Sequence, residues 1–271
     1  MVRVLARTFL FLPGIGPVRE ARLWKRGVHT WADYRSLARV NGVRPRVKAQ
    51  HDQLLSLAEG AVGRNPAFFA HVLPPTEQWR AYHAFREGAA YLDIETRGER
   101  DNNDVTVVGV RLRGKSRMFV RGVDYTPEAV GDLLRDATSI VTFNGASFDL
   151  PVLAADGVPL PKVPSIDLRV VFHRAGIEGG LKRIEGTLGL ARDPSVRGLS
   201  GYDAVKLWRR WETAGDKEAL DILLAYNAAE FENLEPLAEI ACAELQKKVL
   251  ADVTQQARLP FVHAQASTAD P

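Results

Sequence analysis

Asp93 and Glu95 stand two residues apart in A-A-Y-L-D-I-E-T-R-G, residues 89–98. Ala89, Ala90, Tyr91 and Leu92 are apolar and Gly98 punctuates the end, so the stretch reads as a short buried strand. Side chains alternate faces along a strand, which points both acids one way and Ile94 the other, into the core. Two acids side by side at the end of an apolar strand repel each other and lose hydration, and a divalent cation is the obvious compensation. The bland alternative, two solvated charges on an exposed strand end, weighs as much on spacing alone.

A third acid, Asp149, closes N-G-A-S-F-D (144–149) just ahead of an apolar helix, and by itself it reads as a plain N-cap. The fourth lies in L-L-A-Y-N-A-A-E-F-E-N (223–233), where Tyr226 and Glu230 are four apart and share a helix face. Leu220, Leu223, Leu224, Phe231, Leu234 and Leu237 would hold that helix to a sheet. A hydroxyl beside a carboxylate suits a metal and an oriented water, although taken alone the pair reads first as two solvated side chains on the helix surface.

Taken together, D-I-E-T-x-G, N-x-x-x-F-D and Y-N-x-x-E resemble the DEDD (DnaQ-like) superfamily of 3′–5′ exonucleases, with its ribonuclease H-like fold. The Tyr four residues before the last acid matches the tyrosine subclass. G-G-L-K-R-I-E-x-x-L-G at 179–189 and a glycine hairpin near the N-terminus resemble the YprB-type ribonuclease H-like proteins more specifically. The resemblance runs from Ala89 to about Glu244 and extends more weakly to the N-terminal arm. It implies Asp93, Glu95, Asp149 and Glu230 as metal ligands, with Tyr226 orienting a water, in two-metal phosphodiester hydrolysis with Mg²⁺ or Mn²⁺. In that scheme Asp93 bridges the ions, Glu95 and the fourth acid fix one, and Asp149 the other. Four carboxylates without a His or Cys cluster point away from zinc. Thr96, Asn144 and Lys182 become candidate substrate contacts; Asp167 reads foremost as a helix cap, and Asp203 is weaker still. The family has Asp where this chain has Glu230, a side chain longer by one methylene, roughly 1.5 Å. Two rival readings therefore stand beside the exonuclease: a ribonuclease H-like endonuclease, and a nucleic-acid-binding module weakened in catalysis.

The elements that must position these groups form an α/β pattern. Strands are expected at 89–97, 105–113 and 116–121, with a hairpin at Gly114-Lys115. A helix capped by Thr126 should reach about Asp136, followed by strands at 139–143 and 164–168 and then by helices. This describes a five-stranded mixed sheet flanked by helices over residues 89–250, followed by a polar, irregular tail at 251–271.

Residues 1–88 form a basic helical arm, with 14 Lys/Arg against 6 Asp/Glu, whereas the remainder carries 22 against 27. A basic segment beside an acidic body suits a polyanion partner next to a cation-requiring site. Two short helices are expected around L-P-G-I-G (12–16), which resembles the hairpin of a helix-hairpin-helix motif. Gly14 and Gly16 would let backbone N–H groups face a phosphate, with Arg19, Arg22, Lys25 and Arg26 extending the contact. The expected partner is nucleic acid, DNA or RNA, with no membrane and no obligate protein partner. Trp79, Tyr82 and Phe85 at helical spacing read as packing, and the arm's thin apolar content suggests that it rests on the body. The lone Cys242 and the lack of an apolar run of roughly 18 residues suit a cytoplasmic protein. Arg7 interrupts the faintly signal-like start.

Overall fold

The computed structural model describes residues 4–98 and 104–256. Its centre is a five-stranded sheet in the order β3-β2-β1-β4-β5. Strands β1 (Ala89–Thr96), β2 (Val105–Leu112) and β3 (Lys115–Val120) form an antiparallel meander. Strands β4 (Ser139–Thr142) and β5 (Ser165–Asp167) join β1 in parallel. The β2–β3 turn sits one residue earlier than expected: Arg113 and Gly114 take φ of 51° and 72°, the paired left-handed angles of a type I′ hairpin.

Alternation along β1 sorts its side chains between two cores. Ala90, Leu92 and Ile94 pack with Val108, Val130, Leu134 and Leu153 beneath α6 (Pro127–Leu134) and α7 (Asp149–Ala155). Ala89 and Tyr91 pack with Phe172, Phe231, Leu237 and Cys242 beneath α8 (Leu168–Ala175), α11 (Lys217–Glu232) and α12 (Leu234–Gln256). Asp93 and Glu95 continue this second row. Helices α9 (Leu181–Thr187) and α10 (Gly201–Ala214) flank α11. Thr126 caps α6 through the Ala129 N–H, and Asp167 caps α8 through the Arg169 N–H, as their positions suggested. Helix α12 runs on to Gln256, past the expected start of the tail at Ala251; the rest of that expectation lies outside the described residues.

The arm contains a 3₁₀ turn (Val4–Arg7) and helices α1 (Pro17–Lys25), α2 (Trp31–Ser36), α3 (Pro45–Ala61), α4 (Pro66–Val72) and α5 (Tyr82–Phe85). Residues 8–12 form turns, so a helix follows the glycine hairpin but none directly precedes it. The helix expected from Thr76 to Arg86 is instead a 3₁₀ run (Pro75–Ala81), the single turn α5, and a second 3₁₀ turn (Arg86–Gly88). The arm also has a core of its own, in which Phe9, Trp24, Trp31, Tyr34, Leu55, Phe69 and Phe85 bury one another. Large aromatics, each removing 150–250 Å² from water, supply what the count of apolar residues understates.

Arm and body share buried polar ties. Within the arm Arg80 meets Glu20 at 3.2 Å and Glu77 at 2.7 Å, and Arg174 of the body crosses to Glu77 at 2.7 Å. Gln78 accepts from the Ser165 N–H at 2.7 Å, and the Tyr82 and Tyr91 hydroxyls lie 2.9 Å apart. Trp79 and Tyr82 pack into the body's core while Phe85 packs into the arm's, so this aromatic stripe is packing at the seam.

Candidate functional site

The site lies where the C-terminal half of β1 meets α7 and α11. Between Glu95 and Thr96 the β1–β2 register slips by one residue, at the strand end where the acids project. Asp149 is the first residue of α7 and not its N-cap, which is Phe148. Its Oδ1 accepts from the Ile94 N–H at 3.2 Å, placing it against the backbone between Asp93 and Glu95. Burial pushes the Asp93 carboxyl well above the usual carboxylate range, and the charges of Asp149, Glu230 and Glu95 push it further. Glu95 is raised to about 8 by burial and by Glu230 and Asp149. Asp149 is raised to about 7, burial outweighing its backbone hydrogen bonds. The fold therefore brings the distant Asp149 beside the Asp93–Glu95 pair in one electrostatic cluster.

Helix α11 supplies the opposite wall. Tyr226 is buried, its hydroxyl 3.2 Å from Lys182 Nζ, and the ammonium lies 4.8 Å from the ring centroid. Burial first, then Glu230 and Glu95, keep the phenol protonated across the physiological range. Lys182 also bonds the Leu199 carbonyl and stands 3.9 Å from Glu230, so it belongs to this wall. Glu230 carries a partner that its sequence position did not reveal. Arg192 Nη1 donates to its Oε1 at 2.6 Å, while Arg192 Nε donates to Glu185 Oε2 at 2.6 Å.

Asn227 is a further site residue missed in the sequence. Fully buried, it donates from Nδ2 to Asp93 Oδ2 at 2.8 Å and so fixes the orientation of that carboxylate. Its signal was Gly109, a glycine inside V-T-V-V-G-V-R-L. A Cβ there would lie 2.2 Å from Asn227 Oδ1 and 2.2 Å from Phe231, so only glycine lets α11 approach β2 this closely.

Thr96 is buried and accepts from the Gly98 N–H at 3.3 Å, a bond that shapes the strand end. Asn144 takes a left-handed φ of 68°, which asparagine tolerates better than other residues with a Cβ. Asp167 stabilises that corner by accepting from the N–H groups of Asn144 (2.8 Å) and Ala146 (3.2 Å). Arg169 donates to Asn144 Oδ1 at 2.7 Å, and a cleft of about 850 Å³ opens here, lined by Phe143, Ser147, Arg169, His173 and Ile177. Asp203 closes a capping box with Ser200 on α10.

On the arm, Gly14 adopts φ 76° and its carbonyl accepts from Arg19 at 2.8 Å. Gly16 has an ordinary φ of −100° and immediately precedes α1. Arg19, Arg22 and Arg26 line a pocket of about 210 Å³ with Asn41, Gly42 and Val43, and Lys25 is exposed nearby.

No helix among the described residues is long and apolar enough to cross a membrane. Among the same residues, no three His, Cys, Asp or Glu side chains as they stand enclose a metal position. The chemistry of the donor set nevertheless suits a hard divalent cation at Asp93, Glu95 and Asp149, three mutually repelling carboxylates with no His or Cys among them. Glu230 differs from these three, because a guanidinium already pairs with its Oε1.

Residues 90–242, more than half of the chain, match the family model of the RNase H superfamily. The chain belongs to that superfamily, which the strand order and mixed sheet fit. A nuclease-type domain acting on nucleic acid is the function this class defines, and its nucleases generally use divalent metals. No curated protein and no solved structure matches the chain.

Proposed function

We propose that the protein is a metal-dependent 3′–5′ exonuclease, with Asp93, Glu95 and Asp149 as the metal-holding carboxylates. The observation that carries this reading is Tyr226 on the wall facing the three acids, its protonated hydroxyl fixed by Lys182. Mg²⁺ or Mn²⁺, when bound, supplies Lewis-acid activation of water and charge stabilisation at the phosphate. The chain's own residues do the rest. Asn227 orients Asp93, and the Ile94 N–H orients Asp149. The Tyr226 hydroxyl donates to and aligns the attacking water opposite the leaving 3′ oxygen, and Lys182 offers positive charge to the scissile phosphate. The cleft beside Asn144, Arg169 and His173 is a natural seat for the terminal nucleotide, and the arm's arginines for the backbone further along.

The test uses 3′- and 5′-labelled single- and double-stranded DNA and RNA with Mg²⁺ or Mn²⁺. Stepwise shortening from the 3′ end, abolished by EDTA and by Asp93→Asn, is the expected result. Internal cuts would assign an endonuclease. The Arg192–Glu230 pair favours a second reading, a binding module with weakened catalysis; metal-independent binding with no cleavage of any substrate would establish it.

A further inference from the structure

The fourth acid differs from the other three in having a cation of its own. Arg192 lies on the segment between α9 and α10, its side chain only 7 % exposed, clamped between Glu185 (2 %) and Glu230 (12 %) with both contacts at 2.6 Å. Asn233, just past the end of α11, donates to the other Glu185 oxygen at 3.0 Å, and Lys182, 3.9 Å from Glu230, supplies the second positive charge that two carboxylates require. Burial opposes the guanidinium charge, but the two carboxylates outweigh it and hold Arg192 charged. We propose that Arg192 is a resident counter-ion that withdraws Glu230 from the metal-ligand set, so that Asp93, Glu95 and Asp149 hold a single divalent ion. This rests on the metal-site reading above.

Two physical arguments support it. A divalent ion at Glu230 would have to sit beside the guanidinium or expel it, and expulsion would strand Glu185 as a buried, unpaired charge. The length of the side chain points the same way. An aspartate at 230 would draw its carboxylate back by roughly 1.5 Å and open the 2.6 Å contact with Arg192 beyond hydrogen-bonding range. Glutamate is the residue that reaches the arginine. In this arrangement Arg192 and Lys182, 3.9 Å from Glu230, supply the positive charge that a second ion would otherwise bring.

The experiment is calorimetric titration of the full chain with Mn²⁺, in parallel with Glu230→Gln, Arg192→Gln and Asp93→Asn. One ion per chain is expected for the parent. Glu230→Gln should change its affinity by less than fivefold, Asp93→Asn should abolish it, and Arg192→Gln should admit a second ion. Two ions on the parent, or a loss of fivefold or more in Glu230→Gln, would overturn the inference even if Arg192→Gln fails to fold. No Mn²⁺ binding to the parent would instead overturn the metal-site reading itself, and this inference with it.

Discussion

Thermal stability of the metal-free protein should fall as pH rises, the reverse of what its overall charge would produce. Glu95 moves from an ordinary 4.5 to about 8, through burial first and then the charges of Glu230 and Asp149, and Asp149 moves from 3.8 to about 7. Both values lie above those of the unfolded chain, so between them the folded form binds protons that the unfolded form has released. Their favourable contribution is complete below about pH 4 and disappears as pH rises through 7 to 8. At about 1.4 kcal/mol per tenfold change in proton affinity, Glu95 alone sets a ceiling of roughly 5 kcal/mol. Halving that for water entering the cleft leaves roughly 2.5 kcal/mol, and a chain of this size loses about 2–4 °C per kcal/mol. Melting followed by scanning fluorimetry in EDTA should therefore drop by about 5–10 °C between pH 5 and 8.5. Glu95→Gln should remove at least half of the drop, and Mn²⁺ should cancel it. The sequence pI is about 9.0, so net charge and self-repulsion shrink across the same window and act in the opposite direction. A flat or rising curve in EDTA, or a Glu95→Gln variant falling as steeply as the parent, would refute the account of a cation-starved acid cluster.

Other residues offer equally direct tests. Tyr226→Phe, which removes only the hydroxyl fixed by Lys182, should lower kcat by about 10²-fold with little change in KM, measured on a 3′-labelled oligonucleotide. Gly109→Ala should disorder the Asp93–Asn227 contact and lower the melting temperature by several degrees, because its Cβ meets Asn227 and Phe231 at 2.2 Å. Arg80→Ala leaves buried Glu20 without its counter-charge, held only by the Thr8 hydroxyl and the Phe9 N–H, and should cost about 3–5 kcal/mol in urea unfolding; a loss below about 1 kcal/mol would mean that those two bonds suffice for the charge. Replacing Arg19, Arg22 and Arg26 with Ala should weaken binding across all sequences and flatten the dependence of log Kd on log salt by up to about three phosphate contacts, whereas an unchanged slope would remove the arm from the interface.

Sequence reasoning reached the sheet because its signals are local. Alternation in β1, the caps Thr126 and Asp167 and the meander signal each depend on neighbours a few residues away. It placed Asp93, Glu95, Asp149 and the Tyr226–Glu230 pair as candidates through ordered motifs, and the structure brings Asp93, Glu95 and Asp149 into one cluster facing Tyr226. What it could not supply were partners chosen by tertiary packing. Nothing near Arg192 announces that it will neutralise a carboxylate 38 positions away, and Asn227 acquires its role only because Gly109, on another element, leaves room. The arm's core was missed for a related reason: a few aromatics bury more area than a count of apolar residues suggests. The helix expected before the glycine hairpin gave way to turns, where the Thr8 hydroxyl and the Phe9 N–H donate instead to Glu20 on α1, partners that the sequence does not announce.

Cys242 has a use that chemistry outside the cell can exploit. The chain's one cysteine is 1 % exposed in the core between β1 and α12, its sulfur 4.0 Å from the Trp79 carbonyl at the seam with the arm. Burial pushes the thiol far above its ordinary value, so the folded protein offers no thiolate to an alkylating reagent. Modification can proceed only when the packing around Cys242 opens. The rate at which a maleimide labels this chain thus reports opening of the core where arm and body meet, read from a single atom with no engineered probe.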